Sequence, residues 1–180
     1  MTINMTRHTG AIGIPVAECI DKRFGTWRVR TDLQPLMNEE TGDQDGVSFI
    51  EAEFPYKPSL DEAKEFVIGV IDAKTDNKIL TGLVWNNKPV WLSAENQRNF
   101  SEGERKAKDN PSILPITYKI GETADKQPVY HTFSTVEEIV GFYDECFGYI
   151  QQCLTEGWYI KDHVNWTPYE DALEPVTEEV

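Results

Sequence analysis

Three times along this chain, alternating apolar and polar residues give way to a run with apolar residues three and four apart. The first alternation covers Phe24 to Leu36, where Trp27 and Val29 point one way and Arg28 and Arg30 the other, as in a half-buried strand. A turn-rich segment, Met37 to Gly46, separates it from a second strand over Val47 to Phe54. Tyr56-Lys57-Pro58 stops that strand. Ala63, Phe66, Val67, Val70 and Ile71 then form one helical stripe that fades near Asp76-Asn77. The second alternation predicts strands over Ile79 to Trp85 and Pro89 to Leu92, flanking Asn86-Asn87-Lys88. Asparagine tolerates positive φ, so a tight hairpin turn fits there. The helix that follows runs to about Asp109 and offers little beyond Ala94, Phe100 and Ala107, with Gly103 weakening it. The third pair, Ile113 to Ile120 and Pro128 to Phe133, leads into a long apolar helix. Its stripe is Ile139, Phe142, Tyr143, Cys146, Phe147, Ile150, Cys153 and Leu154. Gly157-Trp158 marks a break or a kink, Lys161 to Trp166 gives one more turn, and Thr167-Pro168 ends it.

Each helix start carries the same signature. Ser59 precedes Glu62 and Phe66, Ser93 precedes Asn96 and Phe100, and Thr135 precedes Glu138 and Phe142, with Ser134 as the alternative cap of the last helix. The first and third are capping boxes, in which the hydroxyl accepts from the N3 amide and the carboxylate reaches back. The second has Asn at N3, which makes its box imperfect. The expected fold is α+β, built from three tandem strand-strand-helix units over residues 24–78, 79–110 and 111–166 of one domain. Residues 1–23 read as a flexible arm, and 167–180 as an acidic, disordered tail.

The 31 acidic residues outnumber the 17 basic ones, for a formal charge of −14. Such a chain repels phosphate and anionic lipid, so neither nucleic acid nor a membrane surface is an expected partner. No stretch approaches the roughly 20 apolar residues that span a bilayer, and nothing resembles a signal peptide. Cys146 and Cys153 are two helical turns apart, about 10 Å, too far for a disulfide. With Cys19 they read as thiols in a reducing compartment.

Chemistry is sparse. His8, His131 and His163 lack His or Cys partners at metal-ligand spacing, and His131 reads as an ordinary strand residue. There is no phosphate loop and no nucleophile elbow. Asp43-Gln44-Asp45-Gly46 begins like a calcium loop but lacks the later bidentate glutamate. No catalytic residue, metal or cofactor is expected. The aromatic hairpin is different. Trp85 and Trp91 flank one turn, and each has apolar neighbours on both sides, so the hairpin needs cover on both faces. One face belongs in the core. The other is the candidate interface, with Trp85, Asn86, Asn87 and Trp91 presented there and Trp27 as a further aromatic contact.

The run Leu83-Val-Trp-Asn-Asn-Lys-Pro-Val-Trp-Leu-Ser-Ala-Glu-Asn-Gln97 and the run Pro128-Val-Tyr-His-Thr-Phe-Ser-Thr-Val-Glu-Glu138, with Lys161-Asp-His-Val164 downstream, carry a resemblance. Together they resemble a domain of unknown function from bacteriophage and prophage tail and tail-fibre proteins, over about residues 79 to 164. Asn87 stands where that family usually has glycine, and Val164 stands in its final aliphatic slot. The first unit reads like chains of gut Bacteroidales and their phages. The resemblance implies a non-enzymatic tail, baseplate or fibre component, located in the virion or in the host cytoplasm before assembly. Its implied partners are other tail or virion proteins, or further copies in a symmetric homo-oligomer. The rival expectation is a soluble acidic binding or regulatory protein that mimics nucleic acid, and its warrant is the charge. An enzyme would need convergent polar groups in a pocket, and no motif points to one.

Overall fold

The computed structural model describes residues 4–174. The elements are β1 (Arg7–Gly10), β2 (Ala17–Asp21), β3 (Thr26–Met37), β4 (Gln44–Phe54), α1 (Leu60–Thr81), β5 (Leu83–Trp85), β6 (Lys88–Val90), α2 (Ala94–Asp109), β7 (Ile116–Glu122), β8 (Pro128–Phe133), α3 (Val136–Asp162) and α4 (Thr167–Leu173). The protein is α+β, with small antiparallel sheets and three strand pairs that each lead into a helix. Instead of one domain over 24–166, the described residues divide into two compact units, 4–73 with 160–174, and 74–159. Each unit closes its own apolar cluster, which is why the division falls there.

The first unit holds a four-stranded antiparallel sheet in the order β1-β4-β3-β2. Strand alternation puts Val29, Ile50, Ala52 and Phe54 on one side. They pack there with Ala63, Phe66, Val67 and Val70 of α1 and with Tyr169 and Leu173 of α4. On the other side Arg30 is only 3% exposed, and its guanidinium lies 5.2 Å from the Phe49 ring centre. A buried cation must be paired. Arg30 donates to Glu51 at 3.2 Å, to the Pro15 carbonyl at 2.9 Å and to Glu18 at 2.7 Å. Two of these partners come from the segment expected to be a flexible arm. That expectation is corrected: residues 1–23 contain β1 and β2, and the need to pair Arg30 ties part of the segment to the sheet.

Two helix limits also differ from the sequence reading. Ile79–Thr81 is the last turn of α1, not the start of a strand, because Thr75 and Ile79 extend the four-residue spacing from Ile71. Thr167-Pro168 opens α4 instead of ending a helix, since proline suits the first turn, where its missing N–H is not needed. Residues 167–173 of the expected tail are thus helical, and Tyr169 Oη donates to the Arg30 carbonyl at 2.8 Å. Residues 175–180 of that tail lie outside the described residues.

The second unit packs Leu83, Val90, Leu92, Phe100, Ile120, Phe133, Ile139 and Phe142 into one cluster. α3 runs unbroken through Gly157-Trp158. Gly157 is not a helix break. A Cβ there would lie 2.6 Å from Thr75 Oγ1, so the glycine lets the end of α1 approach α3. The two hairpins meet in the same manner. The Trp91 amide donates to the Ile120 carbonyl at 2.7 Å, and a Cβ on Gly121 would lie 2.1 Å from the Pro89 carbonyl oxygen.

That contact generates a paired prediction. Gly121→Ala forces backbone apart and should destabilise the chain by about 2 kcal/mol. Gly141→Ala, in α3 with nothing within 4 Å of the added carbon, should stabilise it by up to about 1 kcal/mol. Urea midpoints of the two variants check both signs.

Candidate docking face on the hairpin layer

Asn86 and Asn87 have φ of 47° and 58°, the left-handed pair that a two-residue hairpin turn requires. This sets the register Leu83↔Val90, Val84↔Pro89, Trp85↔Lys88. Leu83, Trp85 and Val90 therefore share one side, and Val84, Pro89 and Trp91 the other. The inner side is core. The Trp85 ring stands edge-on to Phe142 and to His131, each at 4.8 Å between centroids. Phe133 and Phe100 complete the cluster around Phe142 at 5.1 and 5.0 Å. Aromatic rings favour such edge and tilted contacts, which set the positive ring edge against the negative face.

The outer side is apolar and open. Val84 is 64% exposed and Trp91 37%. Pro89, Val90 and Trp91 line a cavity of about 200 Å³ with Thr81 and with Glu122 of β7. On the second hairpin, Thr117, Lys119, Tyr130 and Thr132 occupy the side away from the core, with Thr117 and Thr132 hydroxyls 2.7 Å apart and Lys119 bound to Glu122 at 2.6 Å.

A hydrogen-bonded chain holds the hairpins to α3. Lys88 Nζ lies 3.1 Å from His131 Nδ1, and His131 Nε2 lies 2.9 Å from Glu138 Oε1. The lysine has only protons to offer, so Nδ1 accepts and the Nε2–H donates to Glu138. The other Glu138 oxygen accepts from the Ser134 amide at 2.9 Å, while Thr135 Oγ1 accepts from the Glu138 amide at 3.2 Å. The third capping box thus closes one residue early, on Ser134. The Ser134 amide first, and His131 next, hold the Glu138 carboxyl below its ordinary value.

The other caps follow their residue types. Ser59 and Glu62 exchange both bonds, at 2.8 and 3.2 Å. Ser93 caps α2 by accepting from the Asn96 amide at 3.2 Å, but Asn96 turns its own amide to the Trp91 carbonyl at 2.8 Å. The imperfect box therefore ties α2 to the exposed tryptophan just past the end of β6.

Of the residues expected at an interface, Asn86, Asn87 and Trp91 share one hairpin, and Trp85 sits on its inner side. Trp27 belongs to the first unit, packed against that unit's core with Lys57 Nζ 5.3 Å from its ring centre. His131 was missed as a connecting group. The signal was present in the Thr135–Glu138 box, which fixes a carboxylate just after the strand. Cys146 and Cys153 are buried free thiols, and burial pushes the Cys146 thiol up to about 12. The Asp43 to Gly46 segment enters β4 through a turn in which Asn38 donates to the Asp43 carbonyl at 2.8 Å. Among the described residues, no three His, Cys, Asp or Glu side chains gather as a metal site, and no helix is long and apolar enough to cross a membrane.

The chain matches no family model, no curated protein and no solved structure at significant similarity.

A carboxylate held below its ordinary value contributes stability above the unfolded pKa, and that contribution disappears as pH falls through the folded one. Glu138→Gln should therefore lower Tm at pH 7, and its deficit relative to the wild type should shrink as pH falls below the usual glutamate range. Thermal melts of both proteins across that range test the sign.

Proposed function

We propose that this protein is a non-enzymatic docking component that presents Val84, Pro89 and Trp91 to a partner protein. The observation that carries the reading is the two-sided hairpin. Its inner side is consumed by the core, and its outer side keeps a tryptophan and a valine in solvent beside a cavity. Tryptophan dominates the centres of protein interfaces. Isolated exposed apolar residues need no explanation, but here two, Val84 and Trp91, lie on one side with half-buried Pro89, beside a turn whose shape is fixed by Asn86 and Asn87. The charge of −14 keeps the rest of the surface soluble and selects against anionic partners.

The biological setting comes from the resemblance: a bacteriophage or prophage tail, baseplate or fibre. Mass spectrometry of purified, nuclease-treated particles induced from a strain carrying the gene tests it. The expected result is peptides from this chain at a fixed stoichiometry to tail proteins. Absence from particles, with abundant protein in the lysate, would remove the tail setting and favour the soluble acidic binding protein. Val84→Lys tests the surface itself. It should shift stability by no more than about 0.5 kcal/mol, yet reduce the particle-bound fraction about tenfold.

A further inference from the structure

The sheet edges in this chain are not alike. In the first unit the outer strands are β1 and β2. β1 has four residues, and its Arg7 is bound to Asp32 and Ser48. β2 carries Glu18 and Asp21, and its register shifts between Cys19 and Asp21. In the second unit β5 is three residues long. Short length, charge and irregular register are the usual devices that stop a free edge from pairing.

β8 has none of them beyond its opening proline. It runs six residues, Pro-Val-Tyr-His-Thr-Phe, with no acidic or strongly basic side chain. Four of them (Val129, Tyr130, Thr132 and Phe133) are β-branched or aromatic, the types that favour strands. Among the described residues its only ladder is with β7. The irregularity in that ladder falls on β7, where Lys119 and Gly121 face Tyr130 and Val129, so β8 itself stays regular. Among the described residues, no backbone–backbone hydrogen bond joins Val129–Phe133 to anything outside that ladder. Tyr130 is 58% exposed.

We infer that β8 accepts an extended segment of a partner protein as an added strand, and that basic residues flank this segment. Main-chain bonds to an open edge supply affinity without demanding a particular sequence. Charge selects the occupant. Asp125 lies in the turn three residues before the strand, beside Lys126, and Glu137 lies in the first turn of α3 four residues after it; both are exposed, and neither is in an ion pair among the described residues. A lysine or arginine at each end of an added strand meets these carboxylates. A second copy offers the same strand flanked by the same two carboxylates, and like charges brought opposite one another disfavour that pairing. This inference does not rest on the docking face, because it uses the backbone of β8 and not the outer side of the first hairpin.

The test uses the full chain and a synthetic peptide of alternating threonine and valine with two lysines at each end. Residue-resolved amide exchange is measured with and without it. The expected result is exchange slowed about tenfold at Val129–Phe133, with β2 and β5 amides unchanged. Asp125→Lys with Glu137→Lys should remove most of that protection, and Trp91→Ala should leave it intact. No slowing at β8 in the wild type with saturating peptide overturns the inference. So does slowing that appears without peptide and grows with protein concentration, which would assign the edge to a second copy.

Discussion

The second unit depends on one close approach of backbone to backbone. The Trp91 amide reaches the Ile120 carbonyl, and the Pro89 carbonyl sits where any side chain at Gly121 would be. Through that join two short hairpins act as one layer over α3. β5 and β6 have three residues each and would be marginal alone. Held against β7, they can commit Leu83, Trp85 and Val90 to the core and still leave Val84 and Trp91 outside. An irregular register in β7 brings Gly121 to this position.

The first unit answers a different constraint. Its sheet is apolar on one side and carries a buried arginine on the other. The Arg30 charge would be costly without partners, and Glu18, Glu51 and the Pro15 carbonyl meet it. Because two of these partners precede β3 in sequence, the N-terminal segment contributes to the sheet and β2 pairs with β3. Electrostatics orders in this unit what apolar burial orders in the other.

Much of this was legible in the residues. Alternation and capping spacing placed three strand pairs and three helix starts, because period and caps are local properties. The Asn86-Asn87 turn was legible for the same reason. The N-terminal strands were not: Arg7 to Gly10 and Ala17 to Asp21 lack strong alternation, and their warrant is the distant Arg30, Phe49 and Ser48. The division into two units was hidden because α1 and α3 each have residues in both, and an unbroken helix gives no linker signal. The candidate docking face was half legible. Both tryptophans marked the hairpin, but which one faced inward depended on Phe133 and Phe142, far along the chain. The Lys88–His131–Glu138 chain joins three elements and was invisible to spacing within any one of them.

Docking through the hairpin is tested most directly by hydroxyl-radical footprinting of the chain in producing cells, set against the purified chain. If the hairpin docks on a partner, labelling of Val84, Pro89 and Trp91 is reduced in cells, with Phe24, 68% exposed in the other unit, labelled equally in both. Equal labelling of the hairpin in the two conditions would contradict it.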